Sequence, residues 1–241
     1  MRPPAYAPSG AGAARGNAIL AGLSADELRL LEPIDYLRLP ARYVLFEAGE
    51  LQKSIYFPAS GVVSLVRADR RGLMPEIAQA GAEGMIGVAA LLSGERALHR
   101  AVMQIGGEVY RVPLSVARRA FDENRAFRAL ALSFADLLMR QLSQNVICKL
   151  GHSVEQQFCQ RLLLYADRMQ GAPLEMTHEQ IAELLGARRQ GITEAARRLQ
   201  RRQVIAYSRG RISVLDRPTL ESFACECYRI VRGAVSTRQP A

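Results

Sequence analysis

Short apolar runs alternate with polar or glycine-containing turns through the first half of the chain. Between about Tyr36 and Val112 these runs are residues 43–46, 55–57, 62–66 and 98–105. Runs of this length, spaced by roughly 8–12 residues, are typical of an all-β barrel, roll or sandwich. The sequence Ile105-Gly106-Gly107-Glu108 predicts a two-residue hairpin, because both glycines tolerate the positive φ angles of a primed turn.

The apolar pattern takes a helical period after Pro113. Residues from Ser115 to about Leu150 are nearly free of glycine and proline, and one stripe carries Leu130, Phe134, Leu137, Leu138, Gln141, Leu142 and Asn145. This spacing predicts a long amphipathic helix, whose apolar face either packs in its own core or pairs with a second copy. Residues 151–153 break the run, a second helix covers about 154–169, and residues 171–173 (GAP) form a hinge or linker.

The segment from Thr177 onward predicts two short helices and a hairpin. Thr177 and Gln180 form a capping-box pattern that opens a helix through Leu185. After a tight turn at residues 186–187, a second helix runs over about 188–202, with an apolar stripe of Ile192, Ala195, Ala196 and Leu199. A hairpin with a basic tip follows over 204–215. Two helices joined by a glycine-containing turn and followed by such a hairpin have the form of a winged helix-turn-helix.

The distribution of charge narrows the function class. The 241-residue chain has a net charge of +9 and is 49% hydrophobic and 23% charged, which is typical of a globular protein rather than a disordered one. No stretch approaches the roughly 18 apolar residues of a membrane helix. Residues 187–217 carry nine arginines against Glu194 and Asp216. Such a segment indicates either a polyanion-binding module or a solvated basic face.

The N-terminal composition and the cysteines indicate the compartment. Residues 1–18 are rich in proline, glycine and alanine and lack a continuous apolar segment, so we expect a flexible tail rather than a secretory signal. Four cysteines are too few for a disulfide scaffold in a chain of this length. We therefore expect reduced thiols and a cytoplasmic protein.

Residues 177–215 resemble the winged helix-turn-helix of the Crp/Fnr superfamily of bacterial transcription regulators. Residues 45–50 (LFEAGE) and 55–63 (IYFPASGVV) are similar to the opening strands of that family's cyclic-nucleotide-binding-type β-roll, and the long helix falls where the family has its dimerisation helix. The resemblance implies an α+β fold with an N-terminal, jelly-roll-like β-roll, a long dimerisation helix and a C-terminal winged helix-turn-helix. The expected segments are a tail at 1–18, a sensor domain at 19–120, the helix at 121–150 and a DNA-binding domain at 151–241.

The resemblance also assigns roles in DNA contact. Alignment with the family motif places three residues at base-reading positions: Arg189, Gln190 and Glu194. Arginine bonds guanine and glutamine bonds adenine bidentately, whereas Glu194, which replaces the arginine often found there, accepts from cytosine. Contacts to the DNA backbone are expected from Thr177, Arg188, Thr193, Arg209 and Arg211. The other arginines of the helix serve either phosphates or solvent: Arg197, Arg198, Arg201 and Arg202. Gly191 either permits close approach to DNA or is tolerated at a cost of about 1 kcal/mol.

One stretch of the β-roll corresponds to the family's cyclic-nucleotide pocket, which uses a Gly-Glu pair for the ribose and an arginine for the phosphate. When the two are aligned on Gly87, Val88 stands at the position of the glutamate and Ala97 at the position of the arginine. A ribose hydroxyl without its acceptor loses a charge-assisted hydrogen bond, so we expect no control by cyclic AMP. Only an alignment shift would bring Arg96 or Arg100 to the phosphate. The candidate pocket for another small ligand consists of Met85, Ile86, Val88 and Arg100, and ordinary core is the alternative for its apolar members.

The cysteines have no family role in this alignment. Cys148, His152 and Cys159 are spaced to share one helical face, which fits a metal site or, more commonly, packed thiols beside a surface histidine. We therefore expect no metal and no cofactor. Cys225 and Cys227 lie two apart in a helix that opens after Asp216, and residues so spaced on a helix face different directions.

These features favour a homodimeric regulator that binds double-stranded DNA at a near-palindromic site, with recognition helices about 34–36 Å apart. The candidate partners are DNA, a second copy of the chain, RNA polymerase and an unidentified small-molecule effector. We expect no membrane partner. The alternative is a small-molecule or protein-interaction sensor that binds DNA weakly and without sequence preference. No catalytic triad, metal-ligand cluster, phosphate-binding glycine loop or carboxylate pair in a recognisable motif points to an enzyme, and no catalytic residue is assigned.

Overall fold

The computed structural model describes residues 16–70, 72–94 and 96–236. Residues 1–15 of the expected tail lie outside the described residues. The described residues fall into two compact units, one of 16–65 with 79–139 and the other of 66–78 with 140–236. Across the described residues, no helix has both the length and the apolar character to cross a membrane.

Strands predominate from Asp35 to Pro113 and helices from Leu114 to the end of the described chain. The first half contains α1 (Ala18–Ala21), α2 (Ala25–Arg29), β1 (Asp35–Leu39), β2 (Val44–Phe46), β3 (Ser54–Pro58), β4 (Val62–Val66), β5 (Glu76–Ala80), α3 (Val88–Ser93), β6 (Arg100–Ile105), β7 (Gly107–Pro113), α4 (Leu114–Glu123) and α5 (Arg125–Gly151). The second contains α6 (Val154–Arg168), β8 (Leu174–Glu175), α7 (His178–Leu185), α8 (Arg189–Arg201), β9 (Ile205–Ser208), β10 (Arg211–Val214), α9 (Arg217–Phe223) and α10 (Cys227–Ser236). This order confirms the predicted α+β class.

The β-roll consists of two sheets, with strand orders β1-β7-β3 and β2-β6-β4-β5. Strand β7 pairs antiparallel with both of its neighbours. The side chains of Ile55 and Phe57 on β3 are fully buried and that of Tyr56 between them is half-buried, as the two-residue period of a strand requires. Arg111 on β7 donates two hydrogen bonds to Asp35 on β1, directly opposite it in the register.

The hairpin predicted at residues 105–108 is wrong. Ile105 ends β6 in the four-stranded sheet and Gly107 begins β7 in the three-stranded sheet, so the chain passes from one sheet to the other at Gly106. Neither glycine has a positive φ. Backbone crowding explains them instead, because a Cβ atom on Gly107 would clash with the carbonyl oxygen of Ser60, and one on Gly106 would lie 2.9 Å from the Ala41 nitrogen.

The helix predicted from residue 115 to 150 is two helices, α4 and α5, separated at Asn124. This residue has an extended backbone, and its side-chain oxygen accepts a hydrogen bond from the Phe127 nitrogen at 3.0 Å. The predicted apolar stripe faces the protein interior, since Phe134, Leu137 and Gln141 are buried. A different set of apolar side chains on α5 is exposed: Leu132, Met139, Val146, Ile147 and Leu150.

A buried polar contact joins residues 66–78 to the helices of the second unit. The carboxylate of Glu76 forms an ion pair with Arg161 on α6 and accepts a hydrogen bond from the Tyr165 hydroxyl at 2.6 Å. Both charged side chains are almost completely excluded from water. Nearby, the Asn145 amide donates to the carbonyl oxygen of Ile77 at 2.7 Å. These contacts fix residues 66–78 against α5 and α6.

The expected divergence of Cys225 and Cys227 is wrong. Helix α9 ends at Phe223, Ala224 has an extended backbone (φ −75°, ψ 155°), and α10 begins only at Cys227. The rule for residues two apart on a continuous helix therefore does not apply. Both thiols are buried in one cluster with Cys148, whereas Cys159 is buried outside that cluster.

Candidate nucleic-acid interface

Helix α7 begins and ends where the sequence predicts. The Thr177 hydroxyl accepts a hydrogen bond from the Gln180 nitrogen at 3.2 Å, and the Gln180 side chain accepts one from the Thr177 nitrogen at 2.8 Å. The capping box is therefore complete. Gly186 ends the helix in the left-handed conformation (φ 55°), which allows the sharp turn into α8.

Helix α8 buries one face and exposes the opposite one. Its buried residues are the four that the sequence predicts, Ile192, Ala195, Ala196 and Leu199. On the far side, four exposed side chains recur at the i, i+4, i+7, i+11 spacing of one helical face. We call this set the outward stripe of α8: Gln190, Glu194, Arg197 and Arg201. Helical spacing read from the sequence is enough to place Arg197 and Arg201 on this face and to exclude Arg198 and Arg202 from it.

The neighbouring arginines are engaged within the protein. Arg198 forms an ion pair with Glu155 on α6, with the guanidinium nitrogen 2.8 Å from the carboxylate. The guanidinium of Arg202 lies over the Phe223 ring, 5.0 Å from its centroid. Of the four arginines in the second half of α8 and at its end, Arg197 and Arg201 therefore belong to the outward stripe, whereas Arg198 and Arg202 do not.

The candidate base-reading residues occupy the first turns of α8. Arg189, Gln190 and Glu194 are all exposed. The guanidinium of Arg189 lies 4.0 Å from the carboxylate of Glu179, and the Gln190 amide donates to Glu194 at 3.1 Å. Glu179 and Glu194 are themselves exposed, so these two contacts leave the side chains of Arg189 and Gln190 at the protein surface.

His178 connects the two helices to the hairpin that follows them. Its ring stacks on Tyr207 of β9 with centroids 4.0 Å apart, and its Nδ1 lies 3.3 Å from the Thr193 hydroxyl on α8. Partial burial and the positive charges of Arg189 and Arg197 lower the pKa of His178 below its usual value of 6.5. The sequence offered no pattern that singled out this histidine, because its partners lie 15 and 29 residues away.

The wing predicted after α8 is confirmed. Strands β9 and β10 pair antiparallel and β8 pairs with β10, giving a three-stranded sheet. At the tip, Arg209 (φ 49°) and Gly210 (φ 77°) both have positive φ, as a two-residue primed turn requires. Arg209 and Arg211 are exposed, as is Arg188 at the start of α8. The wing tip and the start of the helix thus carry unburied positive charge.

In the first unit, the candidate ligand-pocket residues divide by environment. Met85, Ile86 and Val88 are buried, and Ala97, at the position of the family's phosphate-binding arginine, is buried too. Arg100 lies beside Glu47, with its Nε 3.4 Å from the carboxylate, and Arg96 donates to the Gly49 carbonyl oxygen at 2.9 Å.

The fold and the basic surface define a two-part chain that joins a β-roll to a winged helix-turn-helix. Two family models match it: the cyclic nucleotide-binding domain over residues 36–124 and the Crp-like helix-turn-helix domain over residues 156–223. The chain therefore belongs to the Crp/Fnr superfamily.

Solved structures share this fold at low sequence identity. The CRP-family transcriptional regulator TTHB099 from Thermus thermophilus is 20% identical, with a TM-score of 0.67, and the match covers 78% of this chain and 95% of that one. FixK2 from Bradyrhizobium japonicum is 17% identical, with a TM-score of 0.66 and coverage of 80% and 98%. The CRP/FNR-family regulator TTHA1359, also from Thermus thermophilus, is 18% identical, with a TM-score of 0.65 and coverage of 78% and 97%. No curated protein matches the sequence.

Proposed function

We propose that the chain is a sequence-specific, DNA-binding transcription regulator that acts as a homodimer on a near-palindromic site without control by cyclic AMP. The observation that carries the proposal is the surface of α8. Its inner face is fully apolar, whereas its first turns and outward stripe expose arginine, glutamine and glutamate. These are the side chains that read base edges in the major groove.

Within this proposal, Arg189, Gln190 and Glu194 read bases, and the exposed Arg188, Arg209 and Arg211 contact phosphates. Thr177 also contacts the DNA backbone, because its hydroxyl accepts from the Gln180 nitrogen and still has its proton to donate to a phosphate. Thr193, whose hydroxyl lies 3.3 Å from Nδ1 of His178, is proposed as a further contact to the DNA backbone. Arg197 and Arg201 extend the phosphate contacts along the groove.

The homodimer is proposed on the exposed apolar side chains of α5. Leu132, Met139 and Val146 are each at least 47% exposed and recur every seven residues. A seven-residue repeat of apolar residues is the pattern by which one helix pairs with another. The proposed segments are a sensor domain at 19–120, the pairing helix at 121–150 and a DNA-binding domain at 151–241.

Independence from cyclic AMP is proposed on the residues that replace the family's nucleotide contacts. Buried Val88 and Ala97 offer no acceptor for a ribose and no cation for a phosphate. Arg100 already faces the Glu47 carboxylate. We propose a different small-molecule effector or partner protein for the β-roll, with Met85, Ile86, Val88 and Arg100 as its pocket, together with contact to RNA polymerase and a cytoplasmic location. The chain acts in this proposal by binding rather than by catalysis.

The test is a fluorescence-anisotropy titration against DNA from the region upstream of the protein's own gene. Scrambled DNA of the same length runs beside it, at several salt concentrations, with and without cyclic AMP. Arg189→Ala is compared with Arg29→Ala, which removes the same charge from an exposed position on α2. We expect Arg189→Ala to lose about 1–3 kcal/mol of binding free energy on the upstream DNA and to relax one base position.

Equal affinity of Arg189→Ala and the parent for the upstream DNA would contradict the recognition helix. Binding that appears only with cyclic AMP would contradict independence from that nucleotide. Equal and steeply salt-dependent binding of the parent to both DNAs would leave only the electrostatic contribution. That last result favours the alternative, a small-molecule or protein-interaction sensor with weak, non-specific DNA binding.

A further inference from the structure

Four metal-ligating side chains from distant parts of the sequence converge at one point in the second unit. Cys148 and His152 come from the C-terminal end of α5 and the residue after it, and Cys225 and Cys227 come from the junction of α9 and α10. The three sulfur atoms and one histidine nitrogen all lie within 4.8 Å of one another. We propose that these four residues bind a Zn²⁺ ion that fastens the C-terminal segment of the DNA-binding unit to the long helix.

Two distances between ligand atoms match those of a tetrahedral zinc centre. Zn–S bonds of about 2.3 Å and Zn–N bonds of about 2.0–2.1 Å place two sulfurs roughly 3.8 Å apart and a sulfur and a nitrogen roughly 3.5 Å apart. The Cys148 and Cys225 sulfurs are 3.6 Å apart, and the Cys227 sulfur is 3.5 Å from Nδ1 of His152. These two of the six distances therefore have the lengths expected around zinc, and none of the six exceeds 4.8 Å.

The groups around the cluster hold the ligands in the orientation that a metal requires. Nε2 of His152 lies 3.2 Å from the carboxylate of Glu226, which leaves Nδ1 facing the sulfurs. A metal-binding histidine almost always donates its second nitrogen to such a partner. The Gln144 amide donates to the Cys227 sulfur at 3.0 Å, a contact that stabilises a thiolate. These two contacts distinguish the cluster from thiols that merely pack together.

The local backbone explains how four ligands meet without a contiguous sequence motif. Cys148 and His152 are four residues apart on a helical path, so they project from one face. The break between α9 and α10 turns both Cys225 and Cys227 toward that face. Cys159, which is equally buried, is not part of the group.

The donor set selects the ion. Thiolates and one imidazole favour zinc over magnesium, calcium or manganese, which prefer oxygen ligands. All three cysteines are buried, and four protein ligands leave no open position for a substrate, as in structural zinc sites. A disulfide between Cys148 and Cys225 would give no role to Cys227, His152 or the two contacts that orient them.

A metal at this point would couple zinc binding to the folding of the helix-turn-helix. The Cys148–Cys225 contact spans 77 residues, and this interval contains α6 to α9. Because zinc would bind the folded state and close this long loop, the free energy of zinc binding would add to the stability of the folded state. The site is independent of base reading, so its failure would leave the proposed DNA function standing.

The first experiment measures the metal in full-length protein purified without a polyhistidine tag and under reducing conditions. Elemental analysis is expected to find about one zinc per chain, the stoichiometry of a single four-ligand site. Cys225→Ser and Cys227→Ser are expected to lose most of this zinc. Cys159→Ala is the matched control, because it removes a buried cysteine outside the cluster, and it is expected to keep the full amount.

The second experiment does not depend on a variant that folds. Zinc is removed from the parent protein with a chelator under reducing conditions, and Co²⁺ is titrated in its place. We expect a saturable thiolate-to-cobalt charge-transfer band, the intense visible bands of tetrahedral cobalt, and a rise in thermal stability. Folded parent protein that contains no zinc and takes up no cobalt would overturn the proposal. So would iron in place of zinc, or equal loss of zinc from Cys159→Ala and Cys225→Ser.

Discussion

The side-chain amide of Gln190 donates a hydrogen bond to Oε1 of Glu194 at 3.1 Å, one turn further along α8. Both side chains are exposed on the outward stripe. Pairs of this kind on a helix surface contribute only about 0.2–0.5 kcal/mol to stability. We therefore propose that the bond serves recognition, by orienting two of the three proposed base-reading side chains before DNA arrives.

Glu194→Ala is expected to weaken discrimination between DNA sequences while strengthening binding to DNA in general. The substitution removes an acceptor worth about 1–3 kcal/mol of base discrimination, and it also removes a negative charge that repels phosphates. Anisotropy titrations on the operator and on scrambled DNA measure the ratio of the two affinities. Glu183→Ala, an exposed acidic position on α7, is the control for charge. An unchanged ratio in Glu194→Ala would exclude Glu194 from base reading.

His178 predicts a pH dependence of stability in the DNA-binding unit. Burial and the charges of Arg189 and Arg197 lower the pKa of His178 in the folded state, whereas the unfolded chain binds the proton near pH 6.5. The unfolded state thus binds more protons as pH falls through that value, and the free energy of unfolding decreases from neutral pH toward the lowered pKa. Thermal unfolding of His178→Gln is expected to depend less steeply on pH than that of the parent. His99→Gln is the control, and equal slopes for the parent and His178→Gln would contradict the assignment.

Glu76→Gln is expected to destabilise the second unit by about 3–5 kcal/mol, because it leaves the Arg161 guanidinium charged and buried without its counter-ion. Burial already lowers the pKa of Arg161. The double variant Glu76→Leu with Arg161→Met removes both charges and is expected to recover most of the loss. Urea unfolding of the parent, Glu76→Leu, Arg161→Met and the double variant measures the coupling between the two residues. A double variant as unstable as the sum of two single losses would show that the pair is not coupled.

The DNA-binding helices could be predicted from sequence because their signals are local. The capping box at Thr177 and Gln180 spans four residues, and the apolar stripe of α8 repeats within one helix. The turn at Gly186 needs only a residue that tolerates positive φ. Each signal concerns neighbours in the chain, so no long-range contact was needed to interpret it.

The errors arose where distant segments decide the structure. The Gly106-Gly107 pair has the composition of a hairpin, but the backbone near Ala41 and Ser60 requires glycine there for space. The sequence places Cys148 and His152 on one helical face, but it does not bring Cys225 to them, because Cys148 and Cys225 are 77 residues apart. Both depend on which strands and helices become neighbours, and a single sequence does not encode that in any local period.

Gly191→Ala is expected to stabilise the protein by up to about 1 kcal/mol, the difference between glycine and alanine inside a helix. The added Cβ meets only Val154 Cγ1, at an ordinary contact distance of 3.6 Å. Since this contact is with α6, on a side of α8 away from the outward stripe, DNA affinity is expected to stay unchanged. Gly233→Ala on α10 is the control, because its Cβ would enter open space. A loss of operator binding in Gly191→Ala would mean that the glycine permits close approach to DNA.

Met139→Asp is expected to convert the proposed dimer into a monomer. Met139 is 60% exposed and lies seven residues from both Leu132 and Val146, at the centre of the exposed apolar repeat of α5. A carboxylate there would lose its hydration in a paired helix without gaining a partner, which costs more than such an interface returns. Sedimentation velocity measures the mass of the parent and the variant. Leu51→Asp, at an apolar position that is 56% exposed outside α5, is expected to leave the mass unchanged.

Because two half-sites are then read separately, Met139→Asp should also lose most of its affinity for a full operator while keeping the affinity of one recognition helix for a half-site. A variant that remains dimeric would place the interface elsewhere.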